Sequence, residues 1–265
     1  MKTVEVHGIR FNVFDEGTGV PLVFVHGFPL SHAMWQPQLL AFRATHRVVA
    51  PNLRGFGGSS VVPGKSTMRQ MADDVASIID ALGITEPVVL CGLSMGGYVA
   101  WQFAKHHAAK LRGLVLCETK AAGDTPEAAE TRRKMADHVL KFGTGAVAEA
   151  MPAKLFRAST HTDQPQIVAD IRRTIADTDP QGLAAAQLGM AEREDVRGFL
   201  PSIRVPTLVV VGRDDVISPV DEMRTIAKAI PGAEFHIVEG AGHMAPLELP
   251  ADFNAVLKRF LDRLP

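Results

Sequence analysis

Ser94 stands between two glycines in the run Gly92-Leu93-Ser94-Met95-Gly96-Gly97, and no second G-x-S-x-G occurs in the chain. An apolar run, Val88 to Cys91, leads into it and a helix-period segment leads out, so the spacing predicts a serine presented on a sharp strand-to-helix turn. A serine hydroxyl is a weak nucleophile near neutral pH. It needs an imidazole to take its proton and a carboxylate to hold that imidazole. The chain offers both in the order serine, acid, histidine. Gly212-Arg213-Asp214-Asp215 follows one apolar run, and Gly240-Ala241-Gly242-His243 follows another. In an open α/β sheet the loops beyond the carboxyl ends of the strands meet on one side, where Ser94, Asp215 and His243 can converge. The chemistry such a set performs is acyl transfer through a covalent serine intermediate.

The elements that must position these residues are legible in outline. Continuous apolar runs at Leu22 to Val25, Val48 to Ala50, Val88 to Cys91, Leu114 to Cys117 and Leu208 to Val211 suit strands buried on both faces. Helix-period segments lie at about Met68 to Leu82, Met95 to His106 and Val220 to Ile230, the last with Ser218 as its expected N-cap and Pro219 at its first position. A final strand near Glu234 to Val238 and a helix at about Ala251 to Leu264 close the chain. Strand and helix in alternation predict a mostly parallel α/β sheet with right-handed crossovers. Two short strands, Val4 to His7 and Phe11 to Asp15, open the chain, and only Gly8-Ile9-Arg10 separates them, so an antiparallel hairpin is expected. From about Lys120 to Pro201 the strand runs stop and the text turns Ala-rich. Ile167, Ile171 and Ile175 share one helical face and Met135, Val139 and Phe142 another, while Gly143, Gly145, Pro152, Pro165 and Pro180 divide the block into several helices.

Composition narrows the function classes. Over 265 residues, 28 basic side chains face 29 acidic ones, and no run of like charge supplies a footprint for nucleic acid or an anionic membrane. Cys91 and Cys117 each end an apolar run and read as buried thiols. No signal-peptide h-region opens the chain and no stretch approaches the length of a membrane span, so a cytoplasmic protein is expected. H-E-x-x-H, C-x-x-C, P-loop and G-x-G-x-x-G motifs are absent, so no metal and no cofactor are expected.

The chain resembles the α/β-hydrolase superfamily, in its branch of small capped esterases, enol-lactonases and perhydrolases. The residues carrying the likeness are His26-Gly27-Phe28-Pro29, Asn52-Leu53-Arg54-Gly55-Phe56-Gly57 with Ser59-Ser60, Gly92 to Gly97, Gly212 to Pro219 and Gly240 to His243. The resemblance implies an eight-stranded, mostly parallel sheet flanked by helices. It implies a core of residues 1–119 and 204–265, with 120–203 as a helical cap over Ser94. It also implies Ser94 as nucleophile, His243 as general base and acid, Asp215 rather than Asp214 as the orienting acid, and the backbone N–H groups of Phe28 and Met95 as the oxyanion hole. Some relatives carry the acid after the sixth strand, where Glu118 stands here. His26 is expected to serve the hydrogen bonding of its turn. Met151, Leu155, Leu183, Leu188 and Met190 are candidates for either acyl pocket or core. The expected substrate is a small-molecule ester of a small to medium acyl group. The same triad serves enol-lactonases, C–C bond hydrolases and cofactor-free perhydrolases, and a non-catalytic binding protein of this fold is a further alternative. The sequence leaves the oligomeric state open.

Overall fold

The computed structural model describes all 265 residues. Eight strands form one sheet in the order β1-β2-β4-β3-β5-β6-β7-β8, where β1 is Lys2–Val6, β2 Ile9–Glu16, β3 Pro21–Val25, β4 Arg47–Pro51, β5 Val88–Leu93, β6 Leu111–Cys117, β7 Thr207–Gly212 and β8 Glu234–Val238. The pairs β1·β2 and β2·β4 are antiparallel, and every pairing from β4 through β8 is parallel. The continuous apolar runs are the interior strands. Every residue of β3, β5 and β7 is buried, as befits strands covered by helices on both faces. The opening hairpin is tighter than its sequence spacing suggests. Val6 pairs with Ile9, so the turn is His7-Gly8 alone, and both residues take the positive φ that a two-residue hairpin turn with the right twist demands, 53° and 72°.

The helices α1 (Gln36–Phe42), α2 (Met68–Ala81) and α3 (Met95–His106) precede β6. Thr67 caps α2 reciprocally: its hydroxyl accepts from Gln70 N–H, and Gln70 Oε1 accepts from Thr67 N–H at 2.9 Å. A buried, bidentate pair ties α2 to the loop after β4, with Arg54 donating to both oxygens of Asp74 at 2.6 Å. Between β6 and β7 the chain runs through α4 (Pro126–Phe142), α5 (Gly145–Ala150), α6 (Pro152–Leu155), α7 (Thr160–Asp163), α8 (Pro165–Ala176) and α9 (Pro180–Ala191). Proline stands at the first or second position of α4, α6, α8 and α9, where its missing N–H costs nothing. Ile171 and Ile175 are buried as their spacing predicts. Val139 is fully buried, but Phe142 is 66% exposed, because α4 ends there and Gly143 turns the chain away before the face is covered.

This helical block sits on the carboxyl edge of the sheet. Ser66 N–H donates to Ala185 O of α9 at 3.0 Å, and the Thr178 hydroxyl reaches Pro29 O at 3.4 Å in the loop after β3. Beyond the block lie α10 (Val220–Ala229), α11 (Ala245–Glu248) and α12 (Pro250–Leu261). Ser218 does not cap α10. Its hydroxyl donates to Glu118 O at 3.0 Å and its N–H to Asp215 Oδ1, so the chain stays extended through Pro219, at ψ 151°, and the helix begins one residue later. The last helix likewise ends at Leu261 rather than 264. Cys91 and Cys117 are buried free thiols on adjacent strands, their sulfurs 3.9 Å apart.

Candidate active site

β5 ends at Leu93 and α3 begins at Met95, which leaves Ser94 alone at the turn with φ 54° and ψ −113°, a conformation that side-chain-bearing residues rarely adopt. The flanking glycines permit it. A Cβ on Gly92 would fall 2.3 Å from Gly96 O, and one on Gly96 would fall 2.2 Å from Val25 O, so only glycines let α3 begin this close to β5 and β3. Ser94 N–H donates to Cys117 O at 3.0 Å, and the Thr119 hydroxyl donates to Ser94 O at 2.8 Å, fixing the turn against the end of β6.

Asp215 lies beyond β7 and His243 beyond β8, and the structure brings them together. His243 Nδ1 is 2.8 Å from Asp215 Oδ2, with both side chains essentially inaccessible, at 1% and 0% exposure. The other carboxylate oxygen, Oδ1, accepts from Ile217 N–H at 2.7 Å and Ser218 N–H at 3.0 Å, which fixes the rotamer that points Oδ2 at the ring. Asp214, one residue earlier, is exposed, while its N–H donates to Ala241 O at 2.8 Å and so ties the loops after β7 and β8 together. A carboxylate on Nδ1 favours the tautomer with the proton there, leaving Nε2 with its lone pair free. No hydrogen bond joins the Ser94 hydroxyl to His243. What unites the three is the carboxyl edge of four adjacent parallel strands, β5 to β8. Such contacts are often long before substrate binds.

Phe28 and Met95 flank the serine. A Cβ on Gly27 would lie 3.5 Å from Ser94 Cβ, so the segment after β3 passes directly beside the turn. Phe28 N–H donates to no group of the protein, and Met95 N–H is one of the unpaired first-turn donors of α3. The Phe28-Pro29 peptide is cis, which nothing in the sequence signals. Met95, Leu155, Leu183 and Met190 are all buried within the single apolar core, with Met151 and Leu188 packed against it. His26 serves its turn as expected. Nδ1 bonds Gly27 O at 2.9 Å and Nε2 accepts from Leu53 N–H at 3.0 Å, while full burial pushes its pKa down to about 4 and holds the ring neutral.

Glu118 does not take the acid's place at His243. It is fully buried at φ 45°, and neither carboxyl oxygen has a hydrogen-bond partner. Burial first, then the nearby Cys117, Asp215 and Glu248, push its pKa well above the ordinary carboxylate range, so it stays protonated. A proton bound in the folded state but released in the unfolded one makes stability fall as pH rises above about 4.5. Glu118→Gln, which carries no charge in either state, is therefore expected to match the wild type in denaturant unfolding near pH 4. Above that it should gain stability at up to about 1.4 kcal/mol per pH unit, until the folded-state pKa is passed. An advantage that does not grow with pH would show that Glu118 is ionised in the folded protein.

Sequence reasoning passes over Glu248. It sits 2% exposed in α11 with its carboxylate directed at the residue before His243, and the only sequence signal is an acid within the otherwise apolar Ala245-Pro246-Leu247-Glu248-Leu249. No group of three or more His, Cys, Asp and Glu side chains is placed to hold a metal ion, and no helix is long and apolar enough to cross a membrane.

Comparison with known proteins identifies the fold family. A family model described as the alpha/beta hydrolase fold matches residues 20–250. A thermophilic esterase from Thermogutta terrifontis superposes with a TM-score of 0.96 at 44% identity, covering 99% of this chain and 98% of that one. The enol-lactonase from Burkholderia xenovorans superposes at 0.91 with 29% identity, covering 99% and 100%. By sequence, 3-oxoadipate enol-lactonase 1 of Acinetobacter baylyi is 29% identical over 240 residues, 91% of this chain and 88% of that protein.

Proposed function

The chain belongs to the α/β-hydrolase fold family and is a hydrolase, and from that premise we propose that it cleaves carboxylic esters of small to medium, uncharged acyl groups through an acyl-serine intermediate. The observation that carries this reading is the buried His243–Asp215 pair at the sheet edge from which Ser94 projects. In this mechanism Ser94 Oγ attacks the ester carbonyl as its proton passes to His243 Nε2. Asp215 holds the ring and offsets the charge of the imidazolium. The carbonyl oxygen becomes an oxyanion received by the N–H groups of Phe28 and Met95, donors that need no reorganisation because they belong to the backbone. His243 then gives its proton to the leaving alkoxide. Water, deprotonated in turn by His243, attacks the acyl-enzyme and releases the acid and the serine.

Residues 120–203 act as a cap that limits acyl size. The arginines of this segment that are not exposed are all engaged: Arg132 and Arg193 pair with Asp124, and Arg157 bonds Gly240 O and Ser159. Arg157 alone of the three has no carboxylate partner, and its Nε and Nη1 are taken by neutral oxygens, so the segment offers at most one half-buried cation to an acidic acyl group, which favours neutral esters. A second reading is lactone hydrolysis, supported by the enol-lactonase likeness over nearly the whole chain. A lactone is an internal ester and uses the same attack. Initial rates on p-nitrophenyl esters from acetate to palmitate, run beside unsubstituted and carboxylate-bearing lactones, separate the two. Highest kcat/KM on short acyl esters is expected. Turnover of the acidic lactone that exceeds every ester would replace the first reading by the second.

A further inference from the structure

We propose that Glu248 is a positioning residue that latches the catalytic-histidine turn to the helical segment, so that the orientation of His243 and the placement of that segment are coupled. The proposal rests on the reading of His243 as general base. One carboxylate gathers donors from both sides of the boundary: Oε1 accepts from Gly242 N–H at 2.8 Å, and Oε2 accepts from Arg157 N–H at 3.1 Å and from the Thr160 hydroxyl at 2.6 Å. Gly242 precedes the histidine, whereas Arg157 and Thr160 belong to the stretch between α6 and the start of α7. Two further bonds run across the same seam, from Arg157 Nη1 to Gly240 O at 2.7 Å and from Gln164 Nε2 to Glu248 O at 3.1 Å.

The seam is a backbone contact as well. A Cβ on Gly242 would fall 2.7 Å from Arg157 N and 3.1 Å from Glu248 Oε1, so the turn and the segment approach as closely as glycine allows. A carboxylate 2% exposed that accepts three N–H or O–H groups is a strong local constraint, because breaking any one contact leaves buried polar atoms unpaired. The His243 ring is held at Nδ1 by Asp215, and the backbone that carries it is held by Glu248. A histidine turn that drifts by about 1 Å carries Nε2 away from the serine proton, a misplacement worth about 10²-fold in rate.

The discriminating variant is Thr160→Val. It removes one donor from the helical side, fills the same space, and touches neither Gly242 nor His243. Glu248→Ala removes both ends, and Glu248→Gln keeps an acceptor for Gly242 N–H while presenting an amide nitrogen to donors. Each protein is titrated with a fluorophosphonate, so that kcat on p-nitrophenyl butyrate is expressed per reactive serine, and amide hydrogen exchange is followed over residues 156–164 and 240–243. The latch predicts kcat lower by about 10²-fold in Glu248→Ala, a smaller loss in Glu248→Gln, and a measurable loss in Thr160→Val, with KM within about threefold. Exchange should accelerate in both segments together, including the 240–243 turn in Thr160→Val. Unchanged kcat per titrated serine in Thr160→Val, or exchange that quickens only on the helical side, would overturn the proposal. Should Glu248→Ala fail to fold, Thr160→Val still decides. The exchange arm needs no turnover, so an unreactive wild-type serine would fail the hydrolase reading while leaving the latch to stand or fall separately.

Discussion

Ser94→Ala is expected to lower kcat on its best ester about 10⁶-fold, the size of loss seen when the nucleophile of a serine hydrolase is removed. In the proposed mechanism the variant keeps every element that would bind and polarise the ester: the Phe28 and Met95 N–H groups, the His243–Asp215 pair and the covering helices. KM should therefore change little, and a residual rate above that in water should survive, carried by the oxyanion donors and by binding. The substitution leaves position 94 at its φ of 54°, an unfavourable conformation for alanine as it is for serine, so no large change in stability is expected. Single-turnover rates of purified wild-type and variant protein, assayed on one ester over a long time base, check this. A loss under about tenfold would mean that another group attacks.

Asp215→Asn is expected to cost about 10⁴-fold in kcat. The carboxylate accepts from three N–H groups, with Oδ2 toward His243 Nδ1 and Oδ1 toward Ile217 and Ser218. An asparagine with its carbonyl at the Oδ1 position satisfies the two backbone donors and must then present NH₂ to the ring. That forces the imidazole proton onto Nε2, the nitrogen meant to receive the serine proton, and the base is spent. The anion that steadies the imidazolium is lost as well. The check is kcat/KM from pH 5 to 9. The variant should be depressed throughout and recover only where the ring, or hydroxide, supplies the base by another route. Activity within tenfold of wild type would show that a different acid, with Glu118 the first to suspect, holds His243.

Both expectations trace to features written plainly in the chain. The serine turn was legible because glycines at positions 92 and 96 are required by backbone contacts of 2.3 and 2.2 Å. The interior strands were legible because strands buried on both faces must be apolar throughout. Asp215 over Asp214 is what the resemblance implies for the orienting acid, and in the structure Asp214 faces solvent while Asp215 is buried against His243. What could not be read were decisions made by distant partners. Ser218 has every local mark of an N-cap, yet its hydroxyl is claimed by Glu118 O, a hundred residues away. Phe142 has the right period for a buried face, but α4 outruns its cover. Glu248 carries no periodicity or motif, and its meaning lies in the three donors that tertiary structure brings to it. Glu118 stands where some relatives carry the acid, but burial makes it a neutral acid whose oxygens find no hydrogen-bond partner.

The proposed hydrolysis depends first on acylation of Ser94 Oγ. The most direct measurement is reaction of the purified protein with a fluorophosphonate, followed by intact mass and peptide mapping, since the phosphonyl group attaches irreversibly where a hydroxyl is activated as a nucleophile. One phosphonyl group per chain is expected, on the peptide bearing Ser94, with labelling abolished in Ser94→Ala and slowed in Asp215→Asn. A wild-type protein that hydrolyses esters yet takes up no label, or takes it up on a residue other than Ser94, would contradict it.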